Sequence, residues 1–473
     1  MTTAVSFLDS LKNHRAEPPR VTAPAWLKAM QDDAWQKAVA AGLPTTRHES
    51  FRYTSLRPLS GLTANFAPES PLEFLSDEAS NRLREILDPA GLNLVFVDGV
   101  FVHELSGAGP EVDRDGKKNW SLYDAVHVED LSEALRGPSA EVVQSILQDI
   151  AAARSKLPVP LAHVAPQETT LENLGRAFLN DGVVIHISED CVVPVPIRLV
   201  HVQSGRATVA FTRHLILCAA ASGARISETH LSLGHLQSTS VTPRLPEDVT
   251  QRACFSETSI IMSSNSVLRH DRVLASGSNL HFGSTNVTLA AGAKYHALSL
   301  NLNSRIGRHD ITAMIEGEGA DVVLDGLTTT QGEQVLDTHS VIDHRVPNTT
   351  SRQLYKSILK DKSRVVFSGK IFVRRDAQKT VAHQQSKTLL LSSDAEIDAK
   401  PQLEIEADDV RCAHGATVAQ LNQDEMFYLR SRGIPHTKAE AMLCDAFAKE
   451  IWHSAEDAWL ESMTKNELAD FFK

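Results

Sequence analysis

The most specific chemistry in the chain lies near its C-terminal end. In Leu403–Leu421, LEIEADDVRCAHGATVAQL, a thiol and an imidazole stand two positions apart as Cys412 and His414. Side chains alternate between the faces of a strand, so a strand here puts Val410, Cys412 and His414 on one face and Arg411 and Ala413 on the other. A thiolate and a neutral imidazole reaching one point are half a ligand set for a soft metal or a cluster iron. The plainer alternative is a small buried cysteine beside a hydrogen-bonded histidine. Arg411 would favour the Cys412 thiolate, and Asp408 and Asp409 would oppose it.

Other constellations carry less. Fourteen of the twenty histidines fall between His163 and His414, but no HxH or HExxH spacing occurs, so they read as surface or hydrogen-bonded residues rather than ligands. Asp337-Thr338-His339-Ser340 contains the letters of a catalytic triad, yet the residues are adjacent and lack a nucleophile elbow. Gly317-Glu318-Gly319 sits in a β-rich stretch with no helix after it, which fails the test for a phosphate loop.

The elements that must hold Cys412 and His414 follow from composition and pattern. The chain has 473 residues, 47 basic and 59 acidic, for a net charge of −12. No long basic run appears, which argues against a nucleic-acid partner. Hydrophobic residues make up 42% and aromatics only 5%, so a substantial core must be built from Val, Ile, Leu and Ala. The cysteines (Cys191, Cys218, Cys254, Cys412, Cys444) are odd in number and form no CxxC pair. That excludes a disulfide framework or zinc ribbon and suits a reducing compartment. The start, MTTAVSFLDSLKNHRAEPP, lacks the apolar core of a signal peptide. No run approaches the roughly 18 apolar residues of a membrane span, so a cytoplasmic protein without a membrane partner is expected.

The first third reads as mixed but mainly helical. Ala4–Asn13 and Pro24–Ala41 have helical spacing, the second with Pro at its start and Gly42 just beyond its end. Trp26, Met30 and Ala34, with Trp35 nearby, read as core packing. Glu49–Leu56 reads as a polar turn entering a strand. Leu94–His103, LVFVDGVFVH, is a hairpin around Asp98-Gly99. Residues 128–155 return to helical periodicity.

From about Leu171 short β-rich runs recur for some 250 residues with almost no helical spacing, which excludes a βαβ fold. Gly223-Ala-Arg-Ile, Gly292-Ala-Lys-Tyr, Gly319-Ala-Asp-Val and Gly415-Ala-Thr-Val share one form, glycine allowing a bend before a strand, at intervals of 69, 27 and 96 residues. Stacked short strands with small aliphatics inside describe a β-helix; a sandwich or a pair of barrels fits the pattern less well. Such a solenoid has unpaired edges at its ends, which must be capped or used for docking. After Leu421 the chain turns helical. Capping boxes are expected at Thr437–Glu440 and Thr464–Glu467, with Met442, Leu443, Phe447 and Ile451 on one stripe. These helices read first as a cap and then as a partner surface, sealed by Trp459, Leu460, Phe471 and Phe472.

The same residues carry a resemblance. LPT with Glu49-Ser-Phe51-Arg-Tyr-Thr, the FVDGVF hairpin, Phe178–Val183, Ser368–Ile371 and above all Lys400-Pro-Gln-Leu-Glu through Asp408-Asp-Val-Arg-Cys-Ala-His-Gly415 resemble the SufD branch of the SufB/SufD family of iron–sulfur cluster assembly scaffolds. Phe51 stands where that branch usually has Trp. The resemblance implies a mainly β protein, a right-handed parallel β-helix over 166–421. A mainly helical domain with a small hairpin (1–165) and a C-terminal helical domain (422–473) flank it. It implies a non-catalytic subunit that pairs through the β-helix end with the homologous SufB and docks the ATPase SufC through the C-terminal helices. Met442, Leu443, Phe447, Ile451 and Trp459 are the partner residues on that reading. A transient Fe–S cluster shared with SufB, and no permanent cofactor, is the implied cargo. By motif, His414 is the histidine of the assembly site and Cys412 its neighbouring thiol. The SufB segments CGAHTFP and EHEAT are absent, and Asp394–Pro401 has no cysteine, so this chain would supply the histidine side. The rival classes are a polysaccharide-cleaving β-helix, a hexapeptide-repeat acyltransferase, and a purely structural homodimer.

Overall fold

A computed structural model describes residues 6–15, 24–67, 72, 75, 77–108, 125–137, 139–155, 165–179, 181–204, 208–233, 252–452 and 457–472. Ala4, Val5, His163 and Asn180 lie outside them. The chain is mainly β, a solenoid of about seven turns with helices toward both termini.

The head of the chain forms helices α1 (Phe7–Arg15), α2 (Ala25–Ala41), α3 (Arg57–Ser60) and α4 (Asp77–Ile86). Strands β1 (Leu92–Val97), β2 (Val100–Phe101), β3 (Gly107–Ala108) and β4 (Val126–Asp130) follow, then α5 (Leu131–Ala134), α6 (Ala140–Ser155) and α7 (Thr170–Ala177). The hairpin at Asp98-Gly99 forms as expected. Both residues have positive φ, 49° and 84°, as a tight two-residue turn requires. A Cβ on Gly99 would also stand 3.0 Å from the Ala210 Cβ. Glu49–Leu56 does not enter a strand. Glu49–Phe51 is a 3₁₀ turn leading toward α3, because Phe51 is drawn into the core under the Arg308 guanidinium, 4.2 Å from its ring.

Each solenoid turn contributes one strand to each of two faces. The head face stacks β5 (Gly182–Ile187), β7 (Val209–Cys218), β9 (Ala253–Met262), the second halves of β10 (Val267–Leu289) and β11 (Lys294–Ile315), then β13 (Val335–His344), β15 (Arg364–Val373) and β17 (Glu396–Ile405). The tail face stacks β1, β6 (Ile197–Gln203), β8 (Gly223–Ser232), the first halves of β10 and β11, then β12 (Asp321–Thr330), β14 (Thr350–Leu359), β16 (Val381–Leu390) and β18 (Arg411–Gln420). Apart from the flanking strands β2, β3 and β4, every ladder is parallel. Asp321, Thr350, Val381 and Arg411 are in register, one turn apart at 29, 31 and 30 residues.

One corner explains the loose glycine repeat. Asp190, Ala221, Asn265, Gly292, Gly319, Asn348 and Lys379 all have positive φ, and the N–H of each bonds to a carbonyl of the next turn. Gly292 and Gly319 belong to this column. Gly223 instead begins β8, two residues past the corner residue Ala221. Gly415 is no corner at all but lies in the middle of β18.

Both faces are covered outside as well as inside, so most strands are buried on both sides and read as near-continuous apolar runs. On the head face Phe211, Phe255 and Phe282 form an outer ladder, their rings 4.6 and 5.3 Å apart, against α1, α2 and α7. Helix α8 (Gln423–Ser431) packs on α9 (His436–Trp452), and on the tail face Leu300, Leu327, Leu354 and Ile358 meet α9 and α10 (Ala458–Phe471) through Cys444, Ala448, Ile451, Leu460 and Phe471. These helices lie along the flank of the solenoid and do not close its end. The apolar stripe of α9 and α10 packs on the apolar outer surface of the tail face, which takes both out of water.

Both expected capping boxes fail. Pro435 precedes α9, whose first residue is His436, so Thr437 is already helical. Thr464 is inside α10 and its hydroxyl donates back to the Leu460 carbonyl at 2.7 Å, while Asp457 accepts from the Leu460 N–H at the true start. No helix among the described residues is long and apolar enough to cross a membrane.

One buried cation ties head, solenoid and tail together. Arg198 on β6 is 2% exposed. It donates to Asp88 at 2.8 and 3.0 Å, to Asp457 at 2.6 and 3.0 Å, and to Ser227 at 3.1 Å. The Trp459 ring lies 4.5 Å from its guanidinium carbon.

Candidate functional site

The two ends of the solenoid differ. At the start, β1 covers β6 and is itself paired by β2 and β3, while β4 covers β5. At the finish, β17 and β18 pair only backward, with β15 and β16, among the described residues. Pro401, which lacks an N–H, sits in β17, as proline in a sheet does at an edge. Every residue of β18 except Cys412 is exposed.

Cys412 and His414 share the lumenal face of this last turn. Cys412 is in register with Ala382 and His414 with Gln384, both buried lumenal residues. The strand reading of the motif therefore holds. The two side chains differ in setting, however. Cys412 is half-buried and packs against the lumenal core, and burial pushes its thiol up while the Ala382 backbone pulls the other way. His414 is exposed, directly above Gln384, whose amide N and O both lack hydrogen-bond partners. Arg411 is exposed on the opposite face and is not among the groups that shift the thiol.

Large apolar side chains are exposed nearby. Ile405 on β17 is 42% exposed, Val418 on β18 53%, Phe427 and Tyr428 on α8 74% and 57%, and Met442 on α9 43%. Val39, Val142, Val192 and Val267 are exposed elsewhere, so exposure by itself does not single out one surface. Sequence reasoning missed Phe427 and Tyr428, although α8 has no apolar stripe to hide them. Of the other residues assigned to a partner, Ile451 is buried and Leu443 and Phe447 are half-buried. Lys356 lies 4.7 Å from the Phe447 ring and donates to its carbonyl. Trp459 is half-buried over Arg198 and donates to the Ile86 carbonyl at 3.0 Å.

The Asp337–Ser340 letters are no triad. Asp337 faces outward, bonded to Thr54, Arg308 and His339, and Ser340 faces the lumen, donating to Gln353. Burial works to raise the Asp337 pKa, but His339, Arg308 and Thr54 bring it down to about 2.

The histidines correct the sequence reading more sharply. His201, His214, His230, His270, His281, His309 and His344 are all buried. Six of them, all but His344, line one side of the lumen with Glu228 and Arg272, opposite the aliphatic half. Glu228 accepts from His270 at 3.0 Å and from the Thr258 hydroxyl. Burial opposes its charge, yet the imidazoles of His230 and His270 hold its pKa well below the usual range. His270 also meets the Tyr295 hydroxyl at 2.9 Å, and His201 and His214 approach through Nε2 at 3.2 Å. Burial lowers the pKa of His214, His230 and His344 to about 4, so they are neutral at pH 7. The missing signal was strand parity: each lumenal histidine is at an inward position of its strand, visible only once the turn period is known.

Comparison with known proteins follows this geometry. Residues 201–447 match the family model described as the SufBD core domain of the SUF system for FeS cluster assembly. The chain is 30% identical over 437 residues to the iron–sulfur cluster assembly protein SufD of Escherichia coli, covering 90% of this chain and 88% of that protein. It is 31% identical over 410 residues to an iron–sulfur cluster assembly SufBD family protein of Synechocystis, covering 86% and 83%. With SufD of Bacillus subtilis it shares 26% identity over 433 residues, 90% of each.

Proposed function

This chain belongs to the SufBD family of iron–sulfur cluster assembly proteins, as a SufD-type member, and from that premise we propose that its unpaired solenoid end pairs with SufB and supplies His414 to a nascent cluster. The observation that carries the reading is that end: two edge strands, exposed on their outer side, with His414 on the lumenal face and Ile405 and Val418 exposed beside it. A homologous solenoid end can continue both ladders across the junction, which satisfies the free backbone groups of β17 and β18. The cluster is cargo, not a resident cofactor. A neutral imidazole is a weaker donor to iron than a thiolate, so a site that depends on His414 and a partner's cysteine releases its cluster readily. Cys412 is the reserve thiol; its burial keeps it protonated until a metal displaces the proton.

The tail helices are the second surface. Met442, Phe427 and Tyr428 are the apolar side chains that α8 and α9 leave uncovered, and they suit docking of the ATPase SufC. Leu443 and Phe447 border them, whereas Ile451 and Trp459 act by fixing the helices to the solenoid. In this role the chain performs no catalysis itself and works in the reducing cytoplasm, where its five free cysteines stay reduced.

The test is anaerobic co-expression with SufB and SufC, comparing wild type with His414→Ala for stoichiometry, iron, sulfide and visible absorbance. An intact complex that loses its cluster supports the reading. Full iron in the mutant moves the site, and failure of wild type to bind either partner ends it.

A further inference from the structure

A second arrangement lies deep in the lumen, several turns from His414. Cys254 on β9 and His281 on β10 are register partners on adjacent turns of the head face, and His230 on β8 approaches them from the tail face. Their ligand atoms lie within 4.8 Å of one another, and all three residues are at most 5% exposed. Neither ring nitrogen of His230 has a partner within hydrogen-bond distance; its Nε2 stands 3.8 Å from a Glu228 oxygen, close enough for the two groups to interact electrostatically. His281 Nδ1 is also unpartnered, and its Nε2 has only a 3.3 Å contact with the Ser256 hydroxyl. A buried polar group left unpaired costs about 1–3 kcal/mol, so two under-bonded imidazoles grouped with one thiol call for an explanation. Beside them is a small cavity, with room for about one water, into which Gln203 also turns an unpartnered oxygen.

We propose that His230, Cys254 and His281 form a binding site for a soft or borderline transition-metal ion such as Zn²⁺, with a fourth position open to the cavity. Imidazole and thiolate are the donors such ions select, and a three-residue set completed by water is a known tetrahedral arrangement. Bonds of about 2.0–2.3 Å bring the donors to roughly 3.5 Å from one another, a contraction of up to about 1.3 Å from the 4.8 Å within which they lie. On binding, the Cys254 S–H bond breaks, its proton leaves to solvent and the metal–sulfur bond replaces it; no electron is transferred. A thiol must lose its proton to ligate, so each ion displaces one proton. The charged and titratable groups facing the site are Glu228, which favours a cation, Arg272, which opposes it, His201, His214 and His309, which are buried, and Asp98 at the hairpin. The proposal stands independently of the assembly role of His414.

The experiment titrates the chelator-treated full chain with Co²⁺ under anaerobic conditions, then with Zn²⁺. One Co²⁺ per chain is expected, with a thiolate-to-cobalt charge-transfer band, release of one proton, and loss of the band when Zn²⁺ displaces it. Cys254→Ser should remove the band and weaken binding at least about tenfold, and His281→Gln should weaken it likewise, both with wild-type circular dichroism and melting of the apo form. Cys412→Ser/His414→Ala should keep the band. Absence of the band in wild type, wild-type affinity in both lumenal variants, or loss of the band in the double variant would overturn the proposal. If Cys254→Ser does not fold, His281→Gln and His230→Asn carry the same test.

Discussion

The closed and open ends of one solenoid solve the same problem in opposite ways. Both finish in strands whose backbone groups need partners. At the closed end the chain spends β1 to β4 on those edges and then locks the seam with Arg198, which joins Asp88 from the head to Asp457 from the tail. At the open end β18 is followed by a turn that carries the chain back along the flank, and the edge stays free. The tail helices were available to cover it and do not, because their apolar stripe fits the outer tail face. An edge with exposed Val418 and Ile405 is a liability in a monomer, which is why the proposed function gives this end the partner.

The sharpest way to break this comparison is at the clamp. Arg198→Ala leaves buried Asp88 without this counter-charge, leaves Asp457 with Arg225 at 3.9 Å, and removes the link between α10 and β6. A loss of about 3–5 kcal/mol is expected, read from denaturant midpoints at pH 7. His414→Ala should change the stability of the isolated chain by less than about 0.5 kcal/mol. If the two substitutions cost the same, the ends are not different in kind.

Acid should weaken the closed half. His214 and His230 have folded pKa values of about 4, lowered chiefly by burial, against about 6.5 unfolded. A depressed histidine contributes stability that is present above pH 6.5. It is lost as pH falls toward 4, because the unfolded chain takes up protons that the folded chain refuses. Each such group is worth up to about 3 kcal/mol over that window. Unfolding free energies measured at pH 7, 6 and 5 should fall steadily, and amide exchange should rise first in β7 and β8. Constant stability from pH 7 to 5 would mean that the lumenal histidines are already protonated or hydrated.

Sequence alone resolved what depends on local pattern. Asp98-Gly99 announced its hairpin, the β-rich stretch after Leu171 became stacked strands, and parity put Cys412 and His414 on one face. The turn period was harder to see, because glycine occupies only two of the seven left-handed corners and Asp, Ala, Asn and Lys fill the rest. Without that period the inward histidines looked scattered, and the grouping of His230, Cys254 and His281 across three strands was invisible. Thr437 and Thr464 misled for a related reason. A capping box is a local signal, and tertiary packing of α9 and α10 overrode it.

The smallest expected effect on folding is also the one that isolates the open end. Val418 is 53% exposed on the last edge strand, in register with Thr388 and remote from the clamp and the lumenal histidines. Val418→Lys removes little buried surface, so stability of the isolated chain should shift by less than about 0.5 kcal/mol. The same lysine would be desolvated if a second solenoid end continued the ladder beyond β18, which is how natural edge strands reject pairing. Association with SufB, followed by sedimentation or light scattering, should therefore weaken by at least about tenfold while the monomer melts as wild type. Retained association would place the contact elsewhere. The exposed Phe427, Tyr428 and Met442 surface would then be the partner site left to examine, and β18 would be an unpaired edge protected only by its own polar flanks.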